Sequence, residues 1–236
     1  MLKFKSASLC EDCYAYNACL ASKCSTHEHR DFGQTVKFQR KIKRGDTVAT
    51  ERKNDSHIHL IKSGSFKISV LTREGFEQIT GFKQGGDVIG LERLFKEKYW
   101  SDSIALKDSI VCSVSIHDIK KKDGQFELIH NQLFNILQNE ITDLYRLITM
   151  INQMDSVSRV ANFILMLSEK NRIHGFSPYQ LQLDMTRTDI GSFLGLNIET
   201  VSRKLTELSN GGSIKIDRRM VEIKNINTLS SYQLTQ

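Results

Sequence analysis

No run of apolar residues in this 236-residue chain approaches the roughly 20 that a membrane-spanning helix needs. The first residues also lack the pattern of a secretory signal. The expected location is therefore the cytoplasm, with no membrane partner. Equally missing are the P-loop and G-x-G-x-x-G motifs that cradle phosphates in nucleotide- and dinucleotide-dependent enzymes. A CxxC pair is present at Cys10 and Cys13, but no βαβ unit surrounds it, as a thioredoxin-like oxidoreductase requires. The chain is read as a non-enzyme, with that oxidoreductase as the reading from another class. Tryptophan occurs once, as Trp100, and is assigned to core or interface packing.

What is present is ordinary in bulk and unusual in placement. Hydrophobic residues make up 39% and charged residues 25%, which suits a soluble protein with one good core and room for a second. The net charge of +6 suits a polyanionic partner, provided that a DNA-reading element is found to use it. Four of the five cysteines fall in "SLCEDCYAYNACLASKCSTHEHR", residues 8–30, followed closely by His27 and His29; the fifth is Cys112. Cytosolic thiols are kept reduced, so the crowding points to metal binding or redox chemistry rather than to a disulfide framework. On spacing alone two donor sets stay open. One is a local zinc site of Cys10, Cys13, Cys19 and Cys24 with the histidines in reserve. The other is an iron–sulfur cluster with a remote fourth ligand.

Four regions follow from the pattern: 1–33, a cysteine-rich cap; 34–122, short β-like segments; 123–155, a long helix; and 156–236. In the second, "HIHLIKSGSFKISVL", "FEQITGF" and "SDSIALKDSIVCSVSI" alternate at period 2 between turn signals, as in a small barrel or sandwich. Cys112 falls on such a strand, in phase with Ile110, Val114 and Ile116, which on pattern alone reads as a core cysteine. "DIKKKD" at 118–123 reads as a solvated linker.

From about 125 to 154 there is neither glycine nor proline. Phe134, Leu137, Ile141, Leu144, Ile148 and Ile151 step by 3, 4, 3, 4, 3, a heptad seam. A second apolar line runs through Leu133, Ile136, Leu147, Met150 and Met154. Two apolar faces need two partners, and the flanking sequence offers no other long helix to supply one. A parallel homodimer is the expectation.

The last region carries the most specific signal. "MTRTDIGSFLGLNIETVSRKLTELSNGG" reads as helix, turn, helix. Thr186 with Asp189 forms a capping box, Gly195 makes the turn and Asn197 caps the second helix. Val201, Leu205 and Leu208 point inward. Glu199, Ser202, Arg203 and Lys204 point outward near the helix N-terminus, where a helix-turn-helix presents side chains to base edges. Thr188 and Thr200 join them as candidate contacts. "SIKIDRRMVEIKN" reads as a β-hairpin wing with Arg218 at its tip for phosphate contact. Ten Lys and Arg against seven Asp and Glu from Ser156 to Lys224 would not decide the matter; caps, turn and wing together do.

These residues carry a resemblance. The cap, β-rich sensor, heptad helix and winged helix-turn-helix, from about Cys10 to Lys224, resemble the CRP/FNR superfamily of bacterial transcription regulators, and within it the oxygen-sensing, FNR-like members. "CEDCYAYNAC" is similar to their CxxCx5C ligand motif, and "VCSV" falls where they place a fourth cysteine. "EQITGF" with "GGD", "HGFSPYQLQLDMTRTDIGSFLGL" and "ETVSR" are similar too. The implied fold class is α+β: an N-terminal β-roll of the cupin-like, cyclic-nucleotide-binding type with a cysteine-rich cap, a dimerisation helix and a C-terminal winged helix-turn-helix.

The resemblance further implies a [4Fe–4S] cluster held by Cys10, Cys13, Cys19 and Cys112, oxygen as the signal, and TTGAT-like palindromic promoter sites as the DNA. Under it an intact cluster ties the cap to Cys112, supports the long helix and favours its pairing, for activation or repression of transcription. Cys24 is left over. A zinc-stabilised or nitric-oxide-responsive regulator of the same superfamily is the alternative. RNA polymerase is implied as a partner near "TREGFEQ". Cyclic nucleotide is not expected, because Asp102-Ser103 stands where nucleotide-binding members carry Arg-Ser, and a carboxylate repels a phosphate.

Overall fold

The computed structural model describes residues 13, 15, 19, 20, 36–49, 56–94, 101–120 and 127–233. Cys10, Cys24, His27, His29, Trp100 and most of the cap lie outside them. The chain divides into two compact units, 1–139 and 140–236.

Among the described residues the first unit is a roll of two four-stranded antiparallel sheets. Its strands are β1 (Val36–Ile42), β2 (Thr47–Ala49), β3 (His57–Ser63), β4 (Ser65–Leu71), β5 (Glu77–Gln84), β6 (Val88–Ile89), β7 (Asp102–Ala105) and β8 (Ser109–Ser115). One sheet has the order β1-β8-β3-β6 and the other β2-β7-β4-β5. The period-2 pattern sorts side chains between two cores. Ile42, Val48, Ile61, Phe66, Ala105 and Val111 form a cluster drawn from strands of both sheets. Ile58, Leu60, Val88 and Val114 belong to a separate cluster with Leu20, Leu91, Leu94, Ile116, Ile119 and Leu133. His59 is fully buried, its ring Nδ1 3.0 Å from Ser113 Oγ.

A short helix α1 (Ile116–Lys120) follows β8. This corrects the expectation of a linker from 118: the chain is helical to Lys120 because Ile116 and Ile119 anchor one face in the core; 121–126 lie outside the described residues.

Helix α2 (Glu127–Gln153) is the long helix expected. Its second apolar line is the buried one, with Leu133 and Met150 covered. The seam is different. Phe134, Ile141, Leu144 and Ile148 are 65, 52, 49 and 56% exposed. Leu137 packs against the second core cluster, and Ile151 is half-buried.

The second unit adds α3 (Ser156–Ile173), β9 (Gln180–Gln182), α4 (Arg187–Leu194), α5 (Ile198–Asn210), β10 (Ile214–Asp217), β11 (Met220–Ile223) and α6 (Ile226–Ser230). Helix α3 corrects the expectation that no other long helix flanks the seam. Only two residues separate it from α2, and it is capped by the Asp155 carboxylate on the Ser158 amide. It does not cover the seam, because Val160, Ala161, Phe163 and Ile164 are committed to the core of its own unit, against α5, α6 and β9. Phe163 and Phe193 meet with ring centroids 5.8 Å apart. The three-stranded sheet β10-β11-β9 completes the unit.

Candidate nucleic-acid interface and thiol site

Local chemistry dictates the α4–turn–α5 element. The Asp189 amide donates to Thr186 Oγ1 at 3.0 Å, and the Thr186 amide donates to Asp189 Oδ2 at 2.9 Å, so two amides that lack intrahelical acceptors are satisfied reciprocally. Gly195 ends α4 with φ 65°, a left-handed conformation that favours glycine. Gly191 is required by close approach: a Cβ there would lie 2.5 Å from the Leu196 carbonyl oxygen. Asn197 Oδ1 then accepts from the Thr200 amide at 2.7 Å and starts α5.

Burial of Val201, Leu205 and Leu208 fixes the rotation of α5. Glu199, Ser202 and Arg203 are consequently exposed together on the opposite face, and Thr188 is exposed on α4. Thr200 is half-buried. Lys204 is turned aside, with its side chain 19% exposed and its Nζ 2.7 Å from Glu207 Oε2. Ile198, not among the contacts expected from the sequence, opens α5 and is 43% exposed beside Glu199. Its spacing carries the signal, since an isoleucine one turn before Ser202 shares its outward face. Arg187, a second unexpected member, opens α4 half-buried. Desolvation pulls its guanidinium below the ordinary value, and it remains a cation at neutral pH.

The wing is the β10–β11 hairpin, closed between Asp217 and Met220 by Arg218 and Arg219. Lys215, Arg218 and Arg219 are exposed. Arg218 has φ 54°, which costs a non-glycine residue about 1 kcal/mol. A cation is thus held at the tip against a backbone preference for glycine.

Cys19 and Cys112 pack against one and the same hydrophobic cluster. That cluster also holds Leu20, 2% exposed and adjacent to Cys19, and takes in Leu133, Ile136 and Leu137 of α2. Cys112 pairs in register with Leu60 on β3 and Gln39 on β1. It is half-buried beside Val114 in this cluster, rather than in the cluster shared by the two sheets. Cys13 is half-buried as well. Among the described residues no group of three or more His, Cys, Asp and Glu side chains gathers as a metal site, and Cys10 lies outside them. The soft thiol donors and the common packing of Cys19 and Cys112 are compatible with a thiolate-held iron–sulfur group.

Elsewhere on the roll, Asp102 is half-buried at the start of β7, and Ser103 is 2% exposed. The β4–β5 hairpin presents Leu71 and Phe76, 58 and 71% exposed. Its turn is held by the Phe76 amide donating to Thr72 Oγ1. No described helix is long and apolar enough to cross a membrane.

Comparison with known proteins gives a consistent result. Residues 39–122 match the cyclic nucleotide-binding domain family, and residues 158–232 match the Crp-like helix-turn-helix domain family. The chain is 29% identical over 222 residues to the fumarate and nitrate reduction regulatory protein of Salmonella typhimurium, covering 94% of this chain and 89% of that protein. Identity to the protein of the same name from Escherichia coli is 29% over 221 residues, covering 94 and 88%. FixK2 from Bradyrhizobium japonicum shares the fold, with a TM-score of 0.76 at 23% identity, over 84% of this chain and 98% of that one.

Proposed function

The chain belongs to the CRP/FNR superfamily of transcription regulators, and from that premise we propose that it is an FNR-like, oxygen-responsive one, cytoplasmic and active as a homodimer on palindromic DNA. The observation that carries this reading is the shared packing of Cys19, Cys112 and the start of the seam helix on one hydrophobic cluster. Cys10, Cys13, Cys19 and Cys112 would hold a [4Fe–4S] cluster. Bound there, it would supply an oxygen-labile crosslink between cap and strand.

The chain's own residues do the rest. Leu20, Cys19 and Cys112 pack where Leu133, Ile136 and Leu137 of α2 pack, so order in the cap bears directly on the helix that dimerises. The exposed stripe of Phe134, Ile141, Leu144 and Ile148 then pairs with its copy in a second chain. Pairing brings two α5 helices to half-sites about one DNA turn, roughly 34 Å, apart. Arg203 bonds guanine, Glu199 accepts from a cytosine amino group, and Ser202 completes the reading of TTGAT-like half-sites. Thr188, Thr200 and Lys204 lie on the same element, and Lys204 also serves an ion pair with Glu207. Lys215, Arg218 and Arg219 neutralise phosphates and set the salt dependence. Leu71 and Phe76 offer an apolar contact for RNA polymerase.

Cyclic nucleotide is excluded from this reading despite the domain family's name. Under the resemblance Asp102 replaces the arginine that nucleotide-binding members carry, and a carboxylate there would repel a cyclic phosphate.

The test is binding of anaerobically purified protein to a TTGAT-type palindrome before and after controlled air exposure. Tight binding that is lost with air supports the reading. Equal affinity in both states contradicts it.

A further inference from the structure

Arg159 belongs to α3, yet its guanidinium reaches two other elements. Its Nε donates to the carbonyl of Met154, just beyond α2, at 3.0 Å. Its Nη1 donates to the carbonyl of Leu194, the last residue of α4, at 3.2 Å. Both acceptors stand at helix C-termini, where carbonyls lack intrahelical partners and carry the negative end of the helix dipole. An always-charged planar fork suits two such acceptors at fixed separation, whereas a lysine ammonium can favour only one.

The junction is packed as well as bonded. A Cβ placed on Gly195 would lie 3.7 Å from Arg159 Nη1 and 3.8 Å from Ile151 Cγ2. The last seam residue therefore sits beside the turn that launches the recognition helix. Met154 is gripped a second time, with Asn162 Nδ2 3.3 Å from its Sδ. The same amide lies 3.0 Å from the carbonyl of Tyr232, two residues beyond α6.

We propose that Arg159 is a positioning residue for DNA recognition. It fixes the helix-turn-helix against the end of the seam helix and so sets the half-site spacing that the dimer accepts. It touches no base or phosphate. In a symmetric dimer each recognition helix is carried by its own seam helix, so looseness at this junction enters twice. The assignment rests on the dimeric, DNA-reading function proposed above.

The experiment measures affinity of the anaerobically purified full chain for two duplexes. One carries the palindrome at its native spacing; the other has two base pairs inserted between the half-sites, which turns them by about 70°. Wild type prefers the native spacing strongly. In Arg159→Ala that preference narrows by about tenfold, the size expected for lost charged hydrogen bonds. Arg159→Lys falls between, because it keeps one carbonyl. An unchanged spacing ratio in Arg159→Ala overturns the proposal even where the variant melts earlier, since a purely structural role weakens both duplexes by the same factor. Should Arg159→Ala fail to fold, Arg159→Lys is compared in the same way, and an unchanged ratio there overturns the proposal equally. Wild-type protein that binds neither duplex overturns the clamp and the DNA-reading function together, which separates that failure from loss of the clamp alone.

Discussion

Replacing Ile148 by glutamate puts a carboxylate into the middle of the seam. Ile148 is 56% exposed in the single chain, so a little over half of its burial remains to be gained on pairing. Full burial of an isoleucine is worth about 1.5–3 kcal/mol, which leaves about 1–1.5 per chain and about 2–3 per dimer. The glutamates would also face each other near the two-fold axis, and desolvating that like-charged pair adds at least about 2 kcal/mol. The dimer should therefore weaken by about 4–5 kcal/mol, or about a thousandfold in dissociation constant. Ile148→Ala removes only the apolar part and should cost about 2 kcal/mol, roughly thirtyfold. Anaerobic sedimentation over a concentration series reads both. A glutamate variant that dimerises as tightly as wild type would show that this stripe is covered in some other way, and the proposed dimer would fall.

Single Cys→Ser changes at 10, 13, 19 and 112 should abolish anaerobic iron binding while Cys24→Ser retains it; iron assays giving the reverse for Cys19 and Cys24 would reassign the ligands. Arg203→Ala should weaken specific DNA by about 1–3 kcal/mol and leave random DNA nearly unchanged, whereas Glu199→Ala should relax base choice without abolishing binding. Duplex titrations read both. Arg218→Gly should stabilise the fold by about 1 kcal/mol by relieving φ 54°, yet lower affinity for specific and random duplexes alike and flatten the salt dependence; calorimetry with duplex titrations checks the pair. Asp155→Ala should cost about 1 kcal/mol through loss of a helix cap. The amide and hydroxyl of Ser158 hold the Asp155 carboxyl below its ordinary 3.8. That contribution is complete above 3.8 and is lost as pH falls through the depressed value, so wild type and variant should converge in acid denaturation.

The helix-turn-helix is legible in the sequence because its determinants are local. Thr186 with Asp189, Gly195 and Asn197 act within three or four residues of chain, and each stands where the caps and turn are expected. The strands around Gly64 and Glu77 are legible for the same reason, through period-2 alternation bounded by turns. What the sequence hides depends on partners distant along the chain. Helix α3 has a fainter pattern than the motif beside it, and its inward face makes sense only against Phe193 and α6. "DIKKKD" looks solvated because charge dominates it, while Ile116 and Ile119 decide its helical start. Lys204 reads as a DNA contact from its position, and only the fold turns it toward Glu207. The placement of Cys19 on the cluster of Cys112 spans more than ninety residues, beyond any local pattern.

The most direct test of the central claim is the iron content and visible absorbance of the wild-type chain purified without oxygen. About four irons per chain, with broad charge-transfer absorbance that bleaches in air, is the result expected of four thiolates around one cluster. A colourless protein carrying zinc, or no metal, would contradict it.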